Sequence, residues 1–236
     1  SMACDQVIDK ARKIAAHQME ANEDALEFAG GVFTVTGSPD TEMPLAAVAF
    51  EAFTAHDLPD GLEPNLEMQV TYDPPNFSWP FGTHMCVVEI DTETGETEVL
   101  QYVAVDDCGN KVNPLIVDGQ VHGGVIQGLA QALYEEAAYD SDGNLQSSSL
   151  AEYLVPAASD VPSITLGESI TPSPTNPLGV KGVGEAGTIG AAPCVMNAVV
   201  DALSGLGVRD IQMPASPVRV WNAIQEARNN TQENQQ

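Results

Sequence analysis

Positive charge is scarce in this sequence. Only 8 of its 236 residues are Lys or Arg, against 34 Asp and Glu, which gives a formal net charge of −26 at pH 7. A surface with so few cations has no basic patch for a nucleic-acid backbone and no attraction for an anionic membrane. The composition therefore excludes nucleic-acid binding and membrane-surface binding as main functions.

Paired cysteines and long apolar runs are also missing. No two cysteines stand close enough for a C-x-x-C pair, which excludes zinc-ribbon and ferredoxin-type sites. Four scattered thiols in a chain of this length indicate a reducing compartment, so we expect a cytoplasmic protein. No apolar run reaches the roughly 18 residues of a transmembrane helix, and we expect neither a membrane span nor a signal peptide.

The acidity has two interpretations. Because 43% of the residues are hydrophobic, the chain is expected to fold around a core rather than to stay disordered. The carboxylates then form either a solvated surface, adapted to high salt, or an acidic face that docks a basic partner. The solvated surface is the favoured interpretation, and the docking face stays open.

The order of apolar and turn-forming residues predicts a mixed α+β fold, with mixed sheets, a β-hairpin and packed helices. Helical spacing is found in residues 5–20, 44–53, 119–136 and 196–203, and in a last helix with Ser216 as N-cap and Pro217 at its first position. Strands are predicted at residues 32–35, 66–72, 85–90 and 97–105, the last two forming the hairpin. We divide the chain into a first lobe at 3–115, a second lobe at 116–228 and a flexible tail at 229–236.

The segment from Gly179 to Gly190 is dense in glycine and contains a formal G-x-G-x-x-G at Gly182, Gly184 and Gly187. A dinucleotide fingerprint needs a buried strand just before it, and residues 175–178 do not form one, so we reject a Rossmann interpretation. Glycines still allow a ligand to approach the backbone, and a helix start favours an anion. Lys181 adds a positive charge to this segment.

Glu185 is the candidate catalytic residue of that segment. A carboxylate between Val183 and Ala186 is expected to be partly desolvated, and a desolvated carboxylate suits general-base catalysis. The alternative is an ordinary glutamate at a helix N-terminus, where the helix dipole favours a negative charge.

A second ligand-binding candidate opens the helix at about 119. Gly119 allows close approach, and Gln120 offers a hydrogen-bond donor and an acceptor. His122 and His84 have no second ligand three or four residues away, so we interpret them as structural and expect no metal held by protein side chains.

These segments closely resemble the molybdenum hydroxylase large subunits of the xanthine dehydrogenase and aldehyde oxidase superfamily, and most closely the aerobic carbon monoxide dehydrogenase branch. The similarity covers nearly the whole chain. Its motifs are the segments at residues 72–77, 104–109, 113–114, 119–124, 132–136, 171–177 and 179–190.

The resemblance implies a role for each matching residue. Glu185 matches the glutamate that activates the molybdenum-bound hydroxide or water, and Gln120, with Gly119 beside it, matches the glutamine that hydrogen-bonds the pterin. The cofactor-contacting segment of the family matches Lys181, Gly182, Val183 and Gly184. The implied cofactor is molybdenum-molybdopterin in its cytosine dinucleotide form, with the metal held by the pterin dithiolene.

The resemblance also implies a larger assembly. Family large subunits are several times longer, so the chain looks like the C-terminal portion of one, inactive by itself. Its partners would be the rest of the large subunit, an iron–sulfur small subunit and an FAD-binding medium subunit. In the carbon monoxide enzymes a loop of the missing portion carries the copper-binding cysteine. Carbon monoxide, aldehydes and nitrogen heterocycles all stay open as substrates, as do a non-catalytic acidic assembly module and an unrelated phosphate or nucleotide binder.

Overall fold

The computed structural model of the chain describes residues 1–233. It divides into two compact units, Ser1–Asp73 and Pro74–Gln236. The predicted boundary at 115/116 falls elsewhere, because the hairpin shares a core with the helices that follow it. Within the predicted tail, residues 229–233 continue the last helix, and residues 234–236 lie outside the described residues.

The first unit packs two helices on a small antiparallel sheet. Its sheet has the order β1-β2-β3, with β1 at Leu26–Ala29, β2 at Val32–Val35 and β3 at Ser38–Pro44. Helices α1 (Met2–Gln18) and α2 (Leu45–Thr54) agree with the helical spacing of the sequence. The core is formed by Ala11, Ile14, Ala15, Ala16, Leu26, Phe33, Val48 and Ala52.

Two strands of this unit are absent from the prediction, and one predicted strand does not form. Strand β3 is polar and exposed along nearly its whole length, so it lacks the alternation that marks a half-buried strand. Strand β1 spans only four residues. Residues 66–72 have no strand pairing in the described structure, so the strand predicted there is wrong.

The second unit is built on a sheet with the order β4-β5-β6. Strands β4 (Phe81–Ile90) and β5 (Thr97–Asp107) form the predicted antiparallel hairpin, and β6 (Ile164–Glu168) pairs parallel with β5. Three helices complete the unit: α3 (Pro114–Leu133), α4 (Ala186–Leu203) and α5 (Pro217–Glu233). One core joins Tyr102 and Ala104 of β5 to Val125 of α3 and Val195 of α4.

Helix α3 begins five residues before the predicted start. The Asn113 side chain accepts a hydrogen bond from the Ile116 N–H, and Pro114 stands at the first helical position. Both are helix-start signals, whereas the predicted start at 119 was placed from the apolar spacing. Strand β6 lies in a stretch rich in Pro, Ser and Thr, and its parallel partner is distant in sequence, so local pattern did not reveal it.

Helix α4, together with the turn after it, is long and apolar enough to meet the length and hydropathy criteria for a membrane span at residues 186–206. Its buried face belongs to the core of the second unit, through Ala191, Val195, Val199 and Leu203. Because a core helix passes the same test, this is weak evidence for a membrane span.

Candidate functional site

Glycines bring helices α3 and α4 into close contact. A Cβ on Gly187 would lie 2.6 Å from the Val121 carbonyl oxygen, and one on Gly124 would lie 2.9 Å from the Thr188 nitrogen. The Thr188 hydroxyl donates to the Gly124 carbonyl oxygen at 2.9 Å. Gly187 and Gly124 therefore serve helix packing rather than the ligand approach for which the sequence analysis considered them.

Four other glycines of the two glycine-rich segments face open space. A Cβ added to Gly119, Gly123, Gly182 or Gly184 would meet no atom within 4 Å. Gln120 joins the two glycine-rich segments, because its Nε2 donates to the Gly184 carbonyl oxygen at 3.0 Å. The start of α3 and the loop before α4 thus present adjacent stretches of uncovered backbone.

Glu185 stands at the N-cap position of α4, but its side chain makes no capping hydrogen bond. Within the described contacts the carboxylate has no hydrogen bond or ion pair, while its backbone carbonyl accepts from the Ile189 N–H at 3.0 Å. The residue is exposed, so the desolvation expected from its apolar neighbours is wrong for this chain taken by itself. The side chain is therefore free to meet a ligand that lies against the loop.

Lys181 turns its ammonium inward. Its Nζ lies 3.0 Å from Asp107 Oδ1, with side-chain exposures of 7% and 0% for the two residues. The same Nζ lies 4.7 Å from the centre of the Phe81 ring. Burial by itself raises the pKa of Asp107, but hydrogen bonds from the Gly109 N–H, the Lys181 ammonium and Thr171 outweigh it and hold that pKa well below its usual range.

The two ends of the loop before α4 are fixed differently. At its start, backbone hydrogen bonds join it to the turn after β5: Lys181 N–H to the Cys108 carbonyl at 2.8 Å, and Asn110 N–H to the Gly179 carbonyl at 3.0 Å. Towards its end, Val183 packs its side chain against the core, and the Ala186 N–H donates to the Val183 carbonyl at 3.3 Å. Val183 therefore keeps its backbone N–H and the exposed part of its side chain for a ligand.

His122 and His84 both contact polar groups of the protein itself. His122 is exposed, and its Nδ1 lies 2.8 Å from the Asp118 carbonyl oxygen. His84 is 3% exposed, with Nδ1 2.8 Å from Tyr102 Oη and Nε2 3.4 Å from Asp106. The sequence indicated a structural role for His84 but did not link it to Asp106, and Asp107 was not among the predicted site residues. The signal for both was the acidic pair at residues 106–107, directly after the strand predicted at 97–105.

The residues present fit a large organic cofactor better than a metal ion held by side chains. Within residues 1–233 no three His, Cys, Asp or Glu side chains gather as a metal-ligand set. The uncovered backbone at Gly119, Gly182 and Gly184 would admit a flat group, and Gln120 retains its Oε1 as an acceptor. The start of α4 is favourable for an anionic group such as a phosphate.

The mixed fold brings two glycine-rich segments together beside uncovered backbone, a surface suited to a cofactor. The sequence profile of the molybdopterin cofactor-binding domain family matches residues 1–162. The chain therefore belongs to that family. The matched part contains Gln120 and ends before the loop that carries Glu185.

Individual relatives extend the similarity to the second glycine-rich segment. The carbon monoxide dehydrogenase large chain of Hydrogenophaga pseudoflava is 42% identical, over 96% of this chain and 28% of its own length. The structure of reconstituted CO dehydrogenase from Oligotropha carboxidovorans matches with a TM-score of 0.89 and 38% identity, over 97% of this chain and 28% of that one. Quinoline 2-oxidoreductase from Pseudomonas putida 86 matches with a TM-score of 0.84 and 40% identity, over 93% and 28%.

These matches bear out the predicted fold class and the resemblance to molybdenum hydroxylase large subunits. The chain spans a little over a quarter of the length of the curated relatives it matches, 28% for the Hydrogenophaga pseudoflava large chain and 27% for the carbon monoxide dehydrogenase large chain of Afipia carboxidovorans. Similarity over about a quarter of each relative supports a domain shared with them. It does not extend their enzyme activity to this chain.

Proposed function

We propose that this chain forms part of the molybdopterin-binding large subunit of a molybdenum hydroxylase of the carbon monoxide dehydrogenase type. The observation that carries the proposal is the 42% identity to a carbon monoxide dehydrogenase large chain along 96% of the sequence. The geometry supports it, because Gln120, Gly184 and Glu185 come together beside uncovered backbone.

In this proposal Gln120 and the backbone of Gly119 and residues 181–184 hold the cofactor. When bound, molybdenum-molybdopterin in its cytosine dinucleotide form would supply the redox centre for a two-electron oxidation of the substrate. Glu185 acts as the general base, taking a proton from the water that provides the product oxygen. Its exposed carboxylate has no competing partner within the described contacts. A positioned base of this kind contributes roughly 10²–10⁴-fold to the rate.

The electrons need a path out of the site, and this chain has no set of cysteines for an iron–sulfur cluster. We therefore propose iron–sulfur and FAD-binding partner subunits, a cytoplasmic location, and no turnover by the chain alone. The rest of the large subunit would supply the other wall of the site and shield Glu185 from water.

The test is a substitution in the assembled enzyme. The chain is joined to the remaining part of a large subunit of this type and co-expressed with both partner subunits. We expect Glu185→Gln to lower the rate of substrate-dependent dye reduction by about 10²–10⁴-fold without lowering the molybdenum content. Glu226→Gln, on the exposed face of α5, is the matched control and should keep the full rate. Full turnover in Glu185→Gln would refute the base assignment.

A second candidate is a nitrogen-heterocycle hydroxylase. The 40% identity to quinoline 2-oxidoreductase favours it almost as strongly as the carbon monoxide match favours the first. Carbon monoxide and quinoline offered separately to the assembled enzyme distinguish the two, because each candidate requires turnover of its own substrate. Turnover of an aldehyde alone would contradict both.

A further inference from the structure

Lys181, which lies four residues before Glu185, forms a buried ion pair with Asp107. Asp107 is fully buried at the end of β5, and its Oδ1 accepts from both the Lys181 ammonium at 3.0 Å and the Gly109 N–H at 2.9 Å. The Lys181 backbone N–H is bonded to the Cys108 carbonyl as well. Both the backbone and the side chain of Lys181 are thus attached to the same turn.

The residues between Lys181 and Glu185 have few ties of their own. Gly182 and Gly184 carry no side chain, and open space surrounds both. Two hydrogen bonds, from Gln120 to the Gly184 carbonyl and from the Ala186 N–H to the Val183 carbonyl, and the packing of Val183 are the contacts that the described structure gives this stretch before α4 begins. A glycine-rich stretch of this kind has high conformational freedom unless its ends are fixed.

A buried ion pair is an inefficient way to stabilise a fold, because desolvation of the two charges offsets most of their attraction. It does fix geometry, since a buried carboxylate confines its partner ammonium to one place. Lys181 pairs with a residue 74 positions earlier in the chain, which ties the loop to the sheet.

We propose that Asp107 and Lys181 are positioning residues, which hold the 182–185 segment in the conformation that presents Glu185 to the cofactor side of the loop. The role in presenting Glu185 rests on the proposed function, whereas the ordering of the segment does not. Lys181 acts here through its attachment to Asp107 and not as a cation on an anionic ligand. Its 7% exposure agrees with this assignment.

The first test uses the 236-residue chain. Lys181→Met alone would leave Asp107 charged and unpaired, so the informative variant is the neutral pair Lys181→Met/Asp107→Asn. Lys111→Met is the matched control, because Lys111 pairs with Asp118 and Glu168 at 16% exposure and lies outside the loop. Amide hydrogen exchange of peptides covering 179–190 measures the order of the segment, and thermal unfolding measures global stability.

We expect the Ala186 and Ile189 amides, which donate to the Val183 and Glu185 carbonyls, to exchange about tenfold faster or more in the neutral pair, with other second-unit peptides protected as in the wild type. The control should match the wild type in this segment. Unchanged exchange in a neutral pair that unfolds cooperatively would overturn the proposal, because the backbone bonds would then suffice. If the neutral pair fails to unfold cooperatively, a second neutral pair, Lys181→Leu/Asp107→Asn, is measured in the same way, and unchanged exchange there also overturns it.

The assembled enzyme gives the second test. We expect the neutral pair to lower kcat per bound molybdenum by roughly 10–100-fold, with KM within about twofold, as for a misplaced catalytic group. Loss of molybdenum with unchanged exchange would instead make Lys181 a cofactor ligand and overturn the positioning role. Full turnover in Glu185→Gln would remove the base role proposed for Glu185, while the exchange result still decides whether the pair orders the loop.

Discussion

Asp107 is a residue whose charge state depends on its folded surroundings. Burial raises its pKa, and hydrogen bonds from the Gly109 N–H, the Lys181 ammonium and Thr171 lower it further than burial raises it. A carboxyl group with a depressed folded pKa adds stability above its unfolded pKa of about 3.9, and that stability is lost as the pH falls towards the folded value. Asp107 is therefore ionised in the folded protein at neutral pH, and its protonation at low pH lowers the free energy of unfolding.

We predict that Asp107→Asn lowers the free energy of unfolding at pH 7 by about 3–5 kcal/mol, because it leaves the Lys181 ammonium buried without a counter-charge. The gap to the wild type should narrow as the pH drops below about 4. Urea unfolding at pH 7, 5 and 3 measures this gap, the difference in the free energy of unfolding between the variant and the wild type. Asp91→Asn is the control, since Asp91 lies in the exposed hairpin loop and accepts from the Glu93 N–H at 2.8 Å. An equal gap at pH 3 and pH 7 would show that the loss does not come from charge.

Glu185 and Gln120 stay predictions as site residues, and sequence reasoning could single them out because each stands in a short local motif. The partner of Lys181 could not be predicted, since 74 residues separate it from Asp107 and no local spacing joins the two. The exposure of Glu185 was also beyond sequence reasoning. Apolar neighbours in sequence, Val183 and Ala186, say little about what covers a side chain at a helix N-terminus.

At the scale of elements, α3 and α4 use glycine for two opposite purposes. Gly187 sits where a Cβ would meet backbone atoms of α3, whereas Gly119 faces open space in the first half of α3. The sequence shows glycine in both places and cannot separate packing from ligand access. The predicted helices and the hairpin were found because their periodicity is strong, while β3 and β6 were missed because one is polar and the other pairs with a distant strand.

Alanine substitutions at Gly187 and Gly119 should have opposite effects on stability. Gly187→Ala should destabilise the chain by about 1–3 kcal/mol, because the added Cβ would lie 2.6 Å from the Val121 carbonyl oxygen. Gly119→Ala should stabilise it by roughly 0.5–1 kcal/mol, because alanine loses less entropy in a helix and meets no atom within 4 Å. Chemical denaturation of the 236-residue variants measures both changes.

The Gly119 variant also tests the cofactor surface. If the cofactor lies against this backbone, Gly119→Ala in the assembled enzyme should reduce the molybdenum content although the chain itself is more stable. Gly205→Ala is the matched control, since Gly205 also faces open space and lies at the far end of α4. A full molybdenum content in a stabilised Gly119 variant would place the cofactor elsewhere.

At the scale of the whole molecule, the net charge of −26 has no evident part in the proposed chemistry. The charged side chains of the site are Glu185 and Lys181, and the second is neutralised by Asp107. Part of the acidity is concentrated in one groove of about 520 Å³ beside the hairpin, lined by Glu89, Asp91, Glu96, Glu98 and Asp160. Burial raises the pKa of Tyr134 in this groove, and the nearby Asp160 and Glu96 raise it further.

Carboxylates at this density repel one another in the folded state, and salt screens the repulsion, with a Debye length of about 10 Å at 0.1 M and 3 Å at 1 M. We therefore predict that the chain gains at least about 1 kcal/mol of stability between 0.05 M and 1 M KCl, seen as a rise of roughly 2–4 °C in the unfolding midpoint.

Glu96→Gln/Glu98→Gln, which removes two charges from the groove, should be more stable than the wild type at low salt and gain less from KCl. A midpoint that does not change with salt would contradict the high-salt interpretation of the surface. The acidic face would then have to be tested as a docking surface, by measuring whether binding of a basic partner weakens as the KCl concentration rises.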